Sequence, residues 1–276
     1  MSQPGPDRQS GHVGCSLTLE VTAPSSIVIQ IAAARRPAVT ISERLEVVNN
    51  MVALPAQELT GAAGGRQHLL HVQPGSVTIE YDATITAGPG TPIRVTDEER
   101  VAALRPSRYC PSDRLTGMAL SHFGEIPTAL ERVRAICDYV WRHVMYMSES
   151  SGPATDAVDT LLSARGVCRD FAHLVTALCR AVEVPARVAA VYAPGLALMD
   201  FHCVVEVEVD GHWQVWDATR LAPRPTLVRV ATGRDAADIA FTTVTAGRAE
   251  LRSLGVRAVA PGDLPADDHD RLIALG

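Results

Sequence analysis

The chain has 276 residues, enough for one large domain or two ordinary ones. With 47% hydrophobic and 20% charged residues its composition is that of a folded globular protein, and a net charge of −6 argues against a nucleic-acid or anionic-membrane partner, since both require a basic face. No apolar run is long enough for a transmembrane helix.

Residues 1–14 are polar and rich in Gly and Pro, without the apolar core of a signal peptide. They predict a disordered tail. Six cysteines, at 15, 110, 137, 168, 179 and 203, show no CxxC and no repeated close Cys/His pair, so no structural zinc site is expected. With no export signal, reduced thiols and a cytoplasmic location are the expectation. All 25 basic residues are arginine.

Residues 15–110 read as an N-terminal β domain. Leu17, Leu19 and Val21 alternate with polar residues, as do Val39 and Ile41, Leu45 and Val47, and Val77, Ile79 and Tyr81. Gln73-Pro74-Gly75-Ser76 between two such runs is a hairpin signal. An antiparallel, sandwich-like unit is predicted. His68 and His71 do not share a strand face and read as structural. RPSRYCPSDRL, residues 105–115, reads as a linker.

Residues 111–276 form the second unit. Leu130, Val133, Ile136, Cys137, Val140, Trp141 and Val144 give a helical period after Pro127. A cap at Thr155 or Asp156 starts a short helix. Gly166 ends that element, and Phe171, Leu174, Val175, Leu178 and Val182 mark a helix that stops before Pro185. Strands follow, and the whole reads as α+β: helices packed on an antiparallel sheet.

Cys168 falls in the first turn of that helix. Unpaired N–H groups and the positive end of the helix dipole favour an anion there, and a thiolate is one. The same position also suits a small buried hydrophobe. A histidine and a carboxylate at the same place would decide between the two. Asp210-Gly211 between two alternating runs predicts a two-residue type I′ hairpin. That turn pairs Val209 with His212 and sets Asp217 opposite Val204. His202 and Asp217 become diagonal neighbours on one face. A slip of one residue would separate them. A structural His–Asp hydrogen bond is the other reading of this pair.

Cys168, His202 and Asp217 therefore stand in the order of a nucleophile, a base and an orienting acid. Asp170 suits the helix start electrostatically and reads as structural. His173 lies on the polar side of its helix and is also taken as structural. Tyr146 and Trp141 are candidates for a second oxyanion donor or a cleft wall, with Trp141 in the apolar stripe and so placed in the core. Glu206 and Glu208 share the His202 face and are expected to meet solvent.

GVCRDFAHL at 166–174, VPAR at 184–187, FHCVVEVEVDGHWQVWDAT at 201–219 and GRDAADIAF at 233–241 resemble the bacterial members of the transglutaminase-like superfamily, whose core is similar to the papain-like fold. The likeness covers roughly residues 125 to 241, and the β-rich segment before it resembles the region that precedes such cores. The resemblance implies Cys168 as nucleophile, His202 as base and Asp217 as orienting acid. Val204 replaces an aromatic and Ala218 a proline that the family often shows, which leaves substrate preference open.

The expected activity is acyl transfer through a thioester, with hydrolysis of a peptide or amide substrate placed ahead of protein crosslinking. A non-catalytic binding or scaffold module on the same fold is the alternative of another class. No metal or organic cofactor is required by this chemistry. A homo-oligomer is left open.

Overall fold

The period-two segments at the start of the chain become strands of one sheet in the computed structural model, which describes residues 9–37, 39–87 and 92–275. They are β1 (Gln9–Ile29), β2 (Val39–Asn49), β3 (Val52–Ala53), β4 (Gln57–Thr60), β5 (Arg66–Val72) and β6 (Gly75–Ala87). Val13, Cys15, Leu17, Leu19 and Val21 of β1 are all buried, as the alternation requires. β1 begins at Gln9, so residues 9–14 of the tail expected over residues 1–14 are strand, and residues 1–8 lie outside the described residues.

The hairpin expected at Gln73–Ser76 does not form. β5 pairs with residues 25–29 of β1 and β6 with residues 9–21, both antiparallel. The two strands run on in line along β1, and Gln73-Pro74 is a break between them. Pro74 has no N–H to donate to a ladder. Asn49 makes up for the missing pairing: its Oδ1 accepts the Gln73 N–H at 2.8 Å and its Nδ2 donates to the Ser76 carbonyl at 3.2 Å.

Helices α1 (Asp97–Leu104), α2 (Ser112–Phe123) and α3 (Ala129–His143) follow, then β7 (Met145–Tyr146), α4 (Ala157–Ser163) and β8 (Arg165–Gly166). α5 (Cys168–Ala181) is buried on every side from Asp170 to Arg180, as a central helix must be. It packs against α2, α3, α4 and the second sheet. That sheet holds β9 (Ala186–Tyr192), β10 (His202–Val209), β11 (His212–Trp216) and β12 (Val228–Gly233) in the order β11-β10-β9-β12, all antiparallel. The chain ends with α6 (Ala236–Ile239) and β13 (Thr242–Val259). Among the described residues no helix is long and apolar enough to cross a membrane.

β13 returns to the first sheet and pairs with β1 from His12 to Ile29. A division at residue 110 therefore does not follow the hydrogen bonding, because residues 242–259 belong to the N-terminal sheet. The two sheets also share one apolar core. Tyr192 of β9 donates to the Ile31 carbonyl at 2.7 Å, and the Ala34 N–H donates to Arg229 of β12 at 2.8 Å. Nor is the stretch 105–115 a loose linker. Arg180 donates to the Arg105 carbonyl and the Ser107 hydroxyl, Cys110 is fully buried, and Asp235 accepts the Tyr109 N–H at 2.9 Å.

Candidate active site

Cys168 is the first residue of α5, and a short parallel bridge positions it. Tyr146 pairs with Gly166, and the Met147 N–H donates to the Gly166 carbonyl at 2.9 Å. A Cβ on residue 166 would come 2.7 Å from the Asp170 Cβ. Glycine thus lets Asp170 fold back over the helix start, where it accepts the Val167 N–H at 2.8 Å and the Ser151 hydroxyl at 2.8 Å. Cys168 alone of the six cysteines is not buried.

The partner residues come from the second sheet. Asp210 and Gly211 have φ of 51° and 76°, the left-handed pair that a type I′ turn needs. Val209 faces His212 and Val205 faces Trp216. Asp217 follows directly, and its Oδ2 lies 2.8 Å from His202 Nε2 with both side chains 1% exposed. The second carboxylate oxygen is occupied too: the Thr219 N–H donates to Oδ1 at 2.8 Å and the Thr219 hydroxyl at 2.7 Å. Asp-Ala-Thr is an Asx turn, in which the aspartate accepts from the backbone two residues on. That sequence signal marks Thr219, a residue the motif comparison passed over.

His202 Nδ1 is buried and makes no hydrogen bond, and Cys168 is the thiol that bears electrostatically on the ring. Burial opposes a charge on this imidazole, but Asp217 and then Cys168 outweigh it and raise the ring above its ordinary range. Burial also opposes the Asp217 carboxylate, yet His202 and the two Thr219 bonds hold it below its usual range. The carboxylate thus fixes the ring through Nε2, and the other ring nitrogen is left without a partner.

Tyr146 completes the neighbourhood. Its backbone pairs with Gly166, two residues before Cys168, and its ring is 6.0 Å from Phe171. Trp141 is not core as its stripe suggested. It is half exposed, with the Arg220 guanidinium 4.1 Å above its ring. His173 is fully buried rather than on a polar side, accepts the Ala236 N–H at 3.1 Å, and is pushed down to about 3 by burial. Glu206 does not meet solvent. It is fully buried and bridges Arg187 at 2.8 Å and Arg229 at 2.9 Å. Glu208 pairs with Arg100. Among the described residues no group of three or more His, Cys, Asp or Glu side chains is gathered as a metal site needs.

A family model described as the transglutaminase-like superfamily matches residues 119–218, which span α3, Cys168, His202 and Asp217. The chain is similar to a crystal structure of a candidate cysteine protease from Cytophaga hutchinsonii, with 32% identity and a TM-score of 0.88 over 97% of this chain and 96% of that one. It is 26% identical over 113 residues to an uncharacterized protein of Mycobacterium leprae, a match covering 41% of this chain and 39% of that relative's length. The periplasmic domain of TgpA from Pseudomonas aeruginosa is 17% identical with a TM-score of 0.42, covering 79% of this chain and 91% of that one.

Proposed function

Since this chain belongs to the transglutaminase-like superfamily, we propose that it is a cysteine-dependent enzyme that hydrolyses a peptide or amide bond through a thioester on Cys168. The observation that carries this reading is the His202–Asp217 hydrogen bond, which uses Nε2 and leaves Nδ1 without a partner, with Cys168 at the start of a helix.

In this reading the Cys168 sulfur attacks the carbonyl carbon, and the proton it gives up resides on His202. Asp217 holds the ring in orientation and stabilises its charged form. Negative charge develops on the carbonyl oxygen. The Cys168 N–H, without an intrahelical partner at the helix start, is the donor that would hold that oxygen. Tyr146, whose backbone pairs with Gly166 two residues before Cys168, is the candidate for a second donor. His202 then protonates the leaving nitrogen, the C–N bond breaks, and a thioester remains. Water resolves it, with His202 taking the water proton, and the carboxylic acid leaves.

An amine in place of water would give crosslinking from the same intermediate. The likeness to a candidate cysteine protease over nearly the whole chain supports water as the acceptor. The chain has no lysine, so it offers no side-chain amine of its own for self-crosslinking. A library of peptides and primary amides, assayed for amine release and for uptake of a labelled amine, tests this with wild type and Cys168→Ala. Release that is lost in Cys168→Ala is expected. Turnover that survives the substitution, or no turnover of any amide, contradicts the reading.

A further inference from the structure

Asp217 lies just outside the sheet that presents His202. The β10–β11 ladder ends at the Val205–Trp216 pair, and Asp217 begins the loop that runs to Pro223. No ladder bond holds the residue that carries the carboxylate. The loop is closed from its far end instead: Arg224 Nη1 donates to the carbonyl of Val215, two residues before Asp217, at 3.0 Å. Residues 215–224 thus form a closed ring, and Asp217 and Thr219 lie within it.

Arg224 is itself held by a segment far along the chain. Asp267 Oδ2 accepts the Arg224 Nε–H at 2.9 Å and its main-chain N–H at 3.0 Å, while Oδ1 accepts from Nη2 at 2.9 Å. The two side chains are 1% and 3% exposed. A guanidinium is a rigid fork that can meet two carboxylate oxygens and a carbonyl at once, which a lysine ammonium cannot. The same segment continues along β11, an edge strand. There the Val215 N–H donates to the Ile273 carbonyl at 2.7 Å, and Leu275 joins the apolar cluster of Val215, Ala222 and Leu227. Val215 is fully buried, so both of its polar main-chain groups depend on these contacts.

We infer that Asp267, acting through Arg224, is a positioning residue for Asp217, so that residues 267–275 belong to the framework of the active site. This rests on the roles given above to Cys168, His202 and Asp217. Without the Asp267 charge Arg224 would be buried lacking its carboxylate partner, a costly state that is relieved by moving the guanidinium and opening the bond to Val215. Asp217 would then lose its place against His202, although the Asp210-Gly211 turn at the other end of the hairpin is untouched. Burial opposes the Asp267 charge, but the Arg224 bonds hold the carboxyl well below its usual range, so the clamp stays charged near neutral pH. His269, 3.6 Å from Asp267, is kept below its ordinary range by burial and is neutral there.

Alkylation of Cys168 by iodoacetamide needs no substrate and tests the clamp. The readout is the rate at about pH 6 divided by the rate at about pH 9.5, mapped to Cys168 by peptide mass, since a free thiol at about 8.5 is ionised only at the higher value. A charge beside the ring is worth about one pKa unit or more, so Asp217→Asn should lower this ratio roughly tenfold or more. Asp267→Asn and Arg224→Lys are expected to lower it in the same direction by about threefold or more. Asp267→Glu, which keeps two acceptor oxygens, should restore most of it. A merely structural role would change both rates alike and leave the ratio at its wild-type value. Arg224→Lys keeps the buried charges balanced and carries the same prediction if Asp267→Asn does not fold. A wild-type ratio in the folded variants, an equal loss at both pH values, or an unchanged ratio in Asp217→Asn overturns the inference. A lowered ratio in a protein that turns over no amide would remove the acyl-transfer reading and leave the role of Asp267 standing.

Discussion

His202 and Asp217 meet at 2.8 Å although fifteen positions separate them in the chain. Two consecutive left-handed residues, Asp210 and Gly211, set this distance from the far end of the hairpin. Their turn fixes which residues of β10 and β11 face each other, and side-chain alternation then brings the imidazole and the carboxylate to one place. A one-residue insertion in the turn would leave Cys168 in position and remove its partner pair.

The pair should make stability depend on pH in a defined direction. A raised imidazole stabilises fully below its ordinary value of about 6.5, and that contribution is lost as pH rises through the raised value. A depressed carboxylate stabilises above its ordinary value of about 3.9, and that contribution is lost as pH falls through the depressed value. Both are complete between about pH 4 and 6.5. The melting temperature of Asp217→Asn should fall furthest below wild type inside this window, and the gap should narrow as pH rises toward about 10. A gap that widens with rising pH would contradict the assignment.

Thr219 holds the carboxylate that holds the histidine, and it is a positioning residue rather than a reacting one. Thr219→Val deletes a hydrogen bond to a charged group, worth about 1.5–3 kcal/mol, so kcat should fall roughly 10- to 100-fold with KM little changed. Thr219→Ser should restore most of the rate. A purely structural role would instead lower melting temperature in both variants and leave kcat of the folded fraction intact.

The six thiols should differ sharply in reactivity. Burial pushes Cys15 up to about 11 and Cys110 and Cys137 up to about 12. It raises Cys179 and Cys203 as well. Cys168 is the one partly exposed thiol and the one that interacts with His202. Limiting iodoacetamide at mildly acidic pH should modify it first, as peptide mass mapping would show, and His202→Ala should slow the reaction. First modification elsewhere would speak for a scaffold.

Local signals served well where one turn or one helix start decided the outcome. The Cys168 helix and the Asp210-Gly211 hairpin needed only residues close in sequence. Gln73-Pro74 misled because proline and glycine suit a strand break as well as a hairpin, and the side chain that decides between them, Asn49, lies on another strand. The return of β13 to β1 was hidden because pairing over such a separation leaves no local trace. Glu206 looked solvent-facing because its two arginines come from β9 and β12, and no pattern within β10 records them.

That buried carboxylate carries a prediction of its own. Glu206→Ala would leave Arg187 and Arg229 in the interior without the charge that compensates both. Breaking a buried ion network from one side costs about 3–5 kcal/mol, which denaturant unfolding would register. A change below about 1 kcal/mol would mean that water or Glu99 takes over the arginines' bonds.

The central claim is a covalent acyl group on Cys168, and trapping it is the most direct test. Wild-type protein is mixed with an activated ester or a turned-over amide, quenched in acid within the pre-steady state, and read by intact and peptide mass. The account predicts a mass increase equal to the acyl group, mapped to Cys168, absent in Cys168→Ala and slow to form in His202→Ala. An acyl group on any other residue, or one that still forms in Cys168→Ala, would contradict it.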